Sequence, residues 1–284
     1  MLRLGAVDYL NVRPLVDGLD RLAGISLRFD VPSACAALLD AGEIDLGMVP
    51  SITYADRPGD RIVPGICIGS DGPVASVALF HTRPLPDVRS IALDTSSRTS
   101  AALTRILCAR HFGIAPAFAS HGPDLQQMLE VADAALLIGD PALFAGIPPG
   151  VEKTDLGEAW TAFTGLPFVW AFWAGRPGAA SPAQVRALQQ AARTGMSDTD
   201  RVADRYLAST PERQAVGRQY LRDHLMFELT PRAIAGLQRY LTEAAALGLI
   251  AAAPALRFFE DGTAAAADGP FAPHEGASGR GEGE

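Results

Sequence analysis

The sequence predicts an α/β fold, and three observations carry that prediction. Short apolar runs alternate with helical stretches through the first 175 or so residues, loops rich in hydroxyl and amide side chains follow several of those runs, and the remainder reads as helix. With 284 residues, 48% hydrophobic and 20% charged, the chain is long enough to bury a sizeable core as one large domain or two modest lobes.

Leu2 to Val7 is a first buried strand that runs into a loop, and Pro14 opens a brief helix ending near Gly18. Ser26 to Phe29 reads as a second strand. Pro32-Ser33 starts a helix with an apolar face at Leu38 and Leu39 and a stop at Gly42, after which Ile44 to Val49 returns to extended structure. Val74 to Phe80 is a further strand candidate, and the proline-punctuated stretch His81 to Pro86 is a natural crossing into a second lobe. That lobe begins with the strand at Ser90 to Leu93, a Ser/Thr-rich loop from Thr95 to Ser100 and a helix from about Ala101 to Phe112. Phe118, the helix Leu125 to Val131 and the strand Ala134 to Ile138 continue it, and Phe168 to Trp173 returns the chain to the first lobe. From Ser181 to about Leu249 the pattern is helical, with starts at Ser181-Pro182, Thr210-Pro211 and Thr230-Pro231. The expected division is a first lobe of residues 1–82 and 174–260, a second of 83–173, and a disordered Ala/Gly/Glu-rich tail at 261–284.

Composition narrows the function. A net charge of −8 without a basic stripe argues against nucleic acid as a partner. Cys35, Cys67 and Cys108 lie far apart and read as buried, reduced thiols, and the five histidines lack metal-ligand spacing. No phosphate-binding glycine loop and no nucleophile elbow occurs, so neither metal nor nucleotide cofactor is expected. The first residues lack the pattern of a secretion signal, and no apolar run spans a bilayer, so a cytoplasmic protein without a membrane partner is expected. Nothing in the sequence sets an oligomeric state.

Several segments carry candidate chemistry. Tyr9, Leu10 and Asn11 follow the first strand, at the carboxyl edge where open α/β folds bind ligands. Asn11 either shapes a turn there or addresses a ligand through its donor and acceptor. Ser97, Arg98, Thr99 and Ser100 precede a helix, where hydroxyls, amides, dipole and guanidinium together suit a carboxylate, although a plain cap needs one of them. Ser76 is a lone hydroxyl in an apolar strand. Gly139 permits close backbone approach, and Asp140 is either a helix N-cap or part of a site. The aromatic segment Trp160, Phe163, Phe168, Trp170 and Trp173 either lines a cleft or packs a core.

Taken in order, Tyr9-Leu10-Asn11 with Pro14-Leu15, Gly42 to Gly47, Gly69 to Val74 with Ser76, Ser97 to Ser100, Asp133 to Asp140, and Asp155-Leu156-Gly157 with Trp160 and Thr164 to Val169 resemble the chorismate dehydratase family of menaquinone biosynthesis by the futalosine route. The resemblance runs from about residue 2 to 175 and continues more loosely through the helical part. It implies a two-lobed α/β fold like that of type II periplasmic solute-binding proteins, with a C-terminal helical extension on the first lobe. It also implies a cofactor-free lyase that converts chorismate, a small dicarboxylate, to 3-[(1-carboxyvinyl)oxy]benzoate and water. Asn11 and Ser76 match family active-site positions and are expected to be catalytic. Tyr9, Leu10, Ser97, Arg98, Thr99, Ser100, Gly139 and Asp140 are expected to bind substrate. The competing classes are a non-catalytic carboxylate receptor, the sister enzyme that forms the dihydroxynaphthoate ring, and a regulatory ligand-binding domain. The Ser-Arg-Thr-Ser and Thr-Gly-Leu-Pro-Phe-Val blocks favour the dehydratase over the sister enzyme.

Overall fold

A computed structural model describes residues 1–30 and 32–261; the expected disordered tail, apart from Asp261, lies outside the described residues. Two sheets form, as the alternation of apolar runs and helices requires. The strands are β1 (Leu2–Val7), β2 (Ile25–Asp30), β3 (Leu46–Pro50), β4 (Arg61–Ile62), β5 (Ile66–Ser70), β6 (Val77–His81), β7 (Ser90–Asp94), β8 (Ala117–His121), β9 (Ala134–Ile138), β10 (Glu152–Asp155), β11 (Phe168–Gly175) and β12 (Met226–Glu228). The first sheet runs β12-β5-β11-β3-β1-β2, with β4 beside β11, and the second runs β10-β6-β9-β7-β8. Each sheet has three parallel strands, β2-β1-β3 and β8-β7-β9, flanked by an antiparallel strand that has crossed from the other half. The central parallel strands are apolar almost throughout because both faces are covered.

The crossings lie elsewhere than the prolines at 84 and 86 indicated. β6 pairs along its whole length with β9, Val77 opposite Ile138 through His81 opposite Ala134, so it already belongs to the second sheet. β11 pairs with β3 and β5 and belongs wholly to the first. The chain therefore changes sheets at residues 71–76 and again at 165–167, which corrects the lobe limits of 82/83 and 173/174. Pro84 and Pro86 belong instead to a short turn inside the second lobe, at Leu85–Asp87.

The helices are α1 (Arg13–Val16), α2 (Pro32–Ala41), α3 (Arg98–Leu107), α4 (Leu125–Val131), α5 (Gly139–Leu143), α6 (Leu156–Thr164), α7 (Pro182–Met196), α8 (Thr199–Tyr206), α9 (Gln214–Gln219) and α10 (Pro231–Ala246). Ser181 caps α7 through a reciprocal bond with Gln184, and Thr230 caps α10. α10 shows why such a segment is helical: Ala233, Gly236, Leu237, Tyr240, Leu241 and Ala244 recur at three- and four-residue spacing and are all buried. The helical region is not uninterrupted, because β12 adds an edge strand beside β5, and α8 starts at an Asp198 cap beyond the three expected starts. α3 starts about three residues earlier than expected, since Ser97 accepts from the Ser100 amide and is its N-cap.

One close approach seats α1 and the loop before it. Gly195 of α7 packs against the Pro14 carbonyl, where a Cβ would stand 2.0 Å from the oxygen. Alanine at 195 gains about 1 kcal/mol of helix propensity but must separate the two helices, an overpacking cost of about 1–3 kcal/mol with backbone as the obstacle. Gly195→Ala is therefore expected to lower the urea midpoint despite its better helix propensity; an unchanged or raised midpoint would contradict this packing.

Candidate functional site

The carboxyl ends of β1, β3, β7 and β9 converge on a cavity of about 610 Å³, mouth included, between the two sheets. Its wall carries Tyr9 and Asn11 after β1, Ser76 before β6, Ser97 and Ser100 at the start of α3, Gly139 after β9, and Trp170 of β11. Met48, Ile68, Val74 and Ile138 complete a largely apolar lining. Among the described residues that line it there is no carboxylate, imidazole, amine or guanidinium.

Local geometry explains each placement. Gly139 has φ +64°, and any Cβ on it would stand 3.0 Å from the Tyr9 ring, so glycine lets the tyrosine lie flat across the end of β9. Asp94 at the end of β7 accepts from the Ser96 amide at 2.8 Å, folding the loop that presents Ser97. Ser97 and Ser100 are hydrogen-bonded through their hydroxyls at 3.0 Å, beside the positive end of α3. The first turn of α3 is pinned from its far side: the Thr99 hydroxyl accepts from the Ile52 amide at 3.2 Å, and its carbonyl accepts from the Tyr240 hydroxyl at 2.9 Å.

Ser76 is held by an unusual turn. Its amide donates to the Val74 carbonyl at 2.7 Å across Ala75, whose φ of +63° no other non-glycine residue shares among the described residues. Left-handed backbone at an alanine costs about 1–2 kcal/mol. The Asp155 carboxylate more than offsets this, accepting from the amides of Val74 (3.0 Å), Ala75 (2.7 Å), Gly157 (2.9 Å) and Glu158 (3.1 Å). Lys153 donates to the Ala75 carbonyl at 3.0 Å from the other side. Beyond the turn, the Ser76 hydroxyl lies 2.7 Å from that of Tyr220, which is buried.

The structure brings Tyr9, Asn11, Ser76, Ser97, Ser100 and Gly139 onto one cavity wall and places four of the expected residues elsewhere. Arg98 is exposed and paired with Asp56 at 2.7 Å, because the helix starts at residue 98 and turns this side chain outward. Thr99 faces the other lobe, as described. Leu10 points into the first-lobe core and contributes only its amide, which donates to Asp140 at 3.1 Å. Asp140 is not the N-cap of α5, a place held by Ile138; its second oxygen accepts from the Tyr206 hydroxyl at 2.7 Å. This carboxylate of the second lobe thus ties two elements of the first, and burial pushes its pKa upward. Of the aromatic segment, Trp160, Phe168 and Trp173 are buried, with Trp160 and Phe168 stacked edge to face, while Trp170 alone reaches the cavity. The three thiols are buried and unpaired, and burial raises the Cys35 pKa to about 11. Tyr206 and Tyr220 had no signal in the sequence, since neither sits in a recognisable motif.

Among the described residues, no three His, Cys, Asp or Glu side chains gather as a metal site, and no helix is long and apolar enough to cross a membrane. Residues 2–246 match the family model described as menaquinone biosynthesis. A Thermus thermophilus protein named chorismate dehydratase is 35% identical over 219 residues, spanning 71% of this chain and 80% of that one. A solved protein from Archaeoglobus fulgidus superposes with a TM-score of 0.71 at 16% identity over 88% of this chain and 98% of its own. The periplasmic aliphatic sulphonate binding protein of Escherichia coli superposes at 0.65 with 17% identity, over 98% and 97%. Those two likenesses give the fold, a mixed α/β structure with two sheets.

The clamp at Asp155 makes a direct prediction. Asp155→Ala removes the acceptor of four amides and is expected to cost about 2–4 kcal/mol in chemical denaturation. A loss below about 0.5 kcal/mol would show that the turn before Ser76 stands without it.

Proposed function

The chain belongs to the menaquinone-biosynthesis family, and from that premise we propose that it is a chorismate dehydratase, forming 3-[(1-carboxyvinyl)oxy]benzoate and water as a step of the futalosine route in the cytoplasm. The observation that carries the reading is the cavity wall, which combines apolar surface with a few hydroxyls and one carboxamide, the make-up of a small-molecule site. The likeness to the enzyme of Thermus thermophilus supplies the substrate class.

The reaction suits a site with no strong base. The hydrogen on the ring carbon that bears the ether is acidified through the conjugated ring carboxylate. Its loss as a proton leaves an electron pair that becomes a ring double bond as hydroxide departs from the neighbouring carbon, and the ring becomes aromatic. Proton and hydroxide leave together as water. The enzyme's part is to hold, polarise and exclude solvent. Ser97 and Ser100, with the amino end of α3, receive one substrate carboxylate. Asn11 and Ser76 address the departing hydroxyl and the enolpyruvyl arm. With no basic side chain on the wall, the proton acceptor is the substrate's own side-chain carboxylate. Apolar walls and contact between the lobes strengthen each of these hydrogen bonds by keeping water away.

Purified protein incubated with chorismate, without added metal or nucleotide, should yield an aromatic product lighter by one water with the enolpyruvyl group retained. Binding without turnover would make it a receptor instead. Asn11→Ala should lower kcat by about 100-fold. Arg98→Ala should leave kcat/KM within about threefold of the parent, because its guanidinium serves Asp56 at the surface; a tenfold rise in KM would return Arg98 to the substrate.

A further inference from the structure

Tyr220 is buried, opens a π-helical turn (Tyr220–His224) after α9, and does not line the cavity, yet its hydroxyl lies 2.7 Å from Ser76. Such turns inside helices frequently mark functional sites. Asn11 neighbours the same hydroxyl and, like Ser76, works against the upward push of burial on its pKa. The Asn11 Oδ1 atom is buried and has no hydrogen-bond partner.

One arrangement of protons serves all three groups. A carboxamide can give a proton to Tyr220 only through its nitrogen, which leaves Oδ1 as the free acceptor. A phenol that accepts from Asn11 has its own proton left for Ser76. Ser76, its oxygen engaged as acceptor, then has its proton free for the cavity. We propose that Tyr220 is a positioning residue that polarises the chain Asn11 to Tyr220 to Ser76, so that the cavity presents one acceptor, Asn11 Oδ1, beside one donor, the Ser76 hydroxyl.

This pair matches a ligand with a ring hydroxyl, whose hydrogen bonds to Asn11 Oδ1 while its oxygen, the one that departs, accepts a hydrogen bond from Ser76. A buried acceptor left unpaired costs free energy that a donor-bearing ligand recovers, which is selectivity against ring acids lacking the hydroxyl. Burial also holds the Tyr220 phenol far above its ordinary pKa, so its proton stays in place at neutral pH. The proposal rests on the dehydratase reading and deepens it.

The test is a cycle of Tyr220→Phe, Ser76→Ala and the double variant, assayed with chorismate and checked for folding by thermal melts. Tyr220→Phe should lower kcat about tenfold, the scale of one hydrogen bond, with KM within twofold. The double variant should lose clearly less than the product of the two single losses, since Tyr220 acts in large part through Ser76. Full kcat in Tyr220→Phe, or losses that multiply, would overturn the proposal. A readout free of the Phe variant is the slowly exchanging Tyr220 hydroxyl proton in NMR: it should move upfield in Ser76→Ala, and an unmoved resonance would refute donation to Ser76. If the wild-type protein leaves chorismate unchanged, the dehydratase reading falls and this proposal with it; if it turns chorismate over while Tyr220→Phe is unimpaired, only the role of Tyr220 falls.

Discussion

The chain leaves its first sheet through a turn that backbone sterics disfavour, and the Asp155 carboxylate makes that turn the stable one. Four amides converge on this group, two from the turn at Val74 and Ala75 and two from the start of α6. Shared among one carboxylate, these bonds together contribute about 2–4 kcal/mol, against about 1–2 for one left-handed alanine, so the balance favours the turn. Three things follow from it. β6 enters the second sheet in register with β9, Ser76 faces the cavity, and its hydroxyl meets Tyr220. A helix cap and a hinge between sheets therefore share one residue, and the geometry of the candidate site is fixed from its second-lobe side.

The first-lobe side is fixed by contacts of the same economy. Asp140 reaches from the end of β9 to the Leu10 amide and the Tyr206 hydroxyl, and Thr99 reaches from α3 to Ile52 and Tyr240. Both were expected to touch substrate. Their polar atoms are instead occupied in holding the lobes together, which leaves the cavity with hydroxyls, a carboxamide and apolar surface. A site of that composition has little with which to abstract a proton and much with which to orient one, and the proposed elimination asks for that division of work.

Much of this was legible in the sequence, for identifiable reasons. Strand and helix order followed from apolar runs and prolines at helix starts, and the loops after β1, β7 and β9 were recognisable because the carboxyl ends of parallel strands collect ligands. Gly139 betrayed its close approach to Tyr9 by being glycine. The lobe limits were misplaced because prolines mark any turn, and those at 84 and 86 mark a local one. The outward turn of Arg98 toward Asp56 was not legible, because a motif gives composition and not the phase of the helix that begins within it. Tyr206 and Tyr220 were beyond reach, since contacts 66 and 144 residues away in the chain leave no local pattern.

The central claim is that this cavity contributes orientation and no titrating base. The pH dependence of kcat for chorismate, measured from about pH 6 to 9 where the unperturbed carboxylates are already ionised, tests it most directly. The account predicts a flat profile, because the acceptor belongs to the substrate and Tyr220 keeps its proton throughout. A limb rising through a pKa near neutrality, absent from the non-enzymatic reaction, would mean that a side chain of the protein takes the proton and would contradict the account.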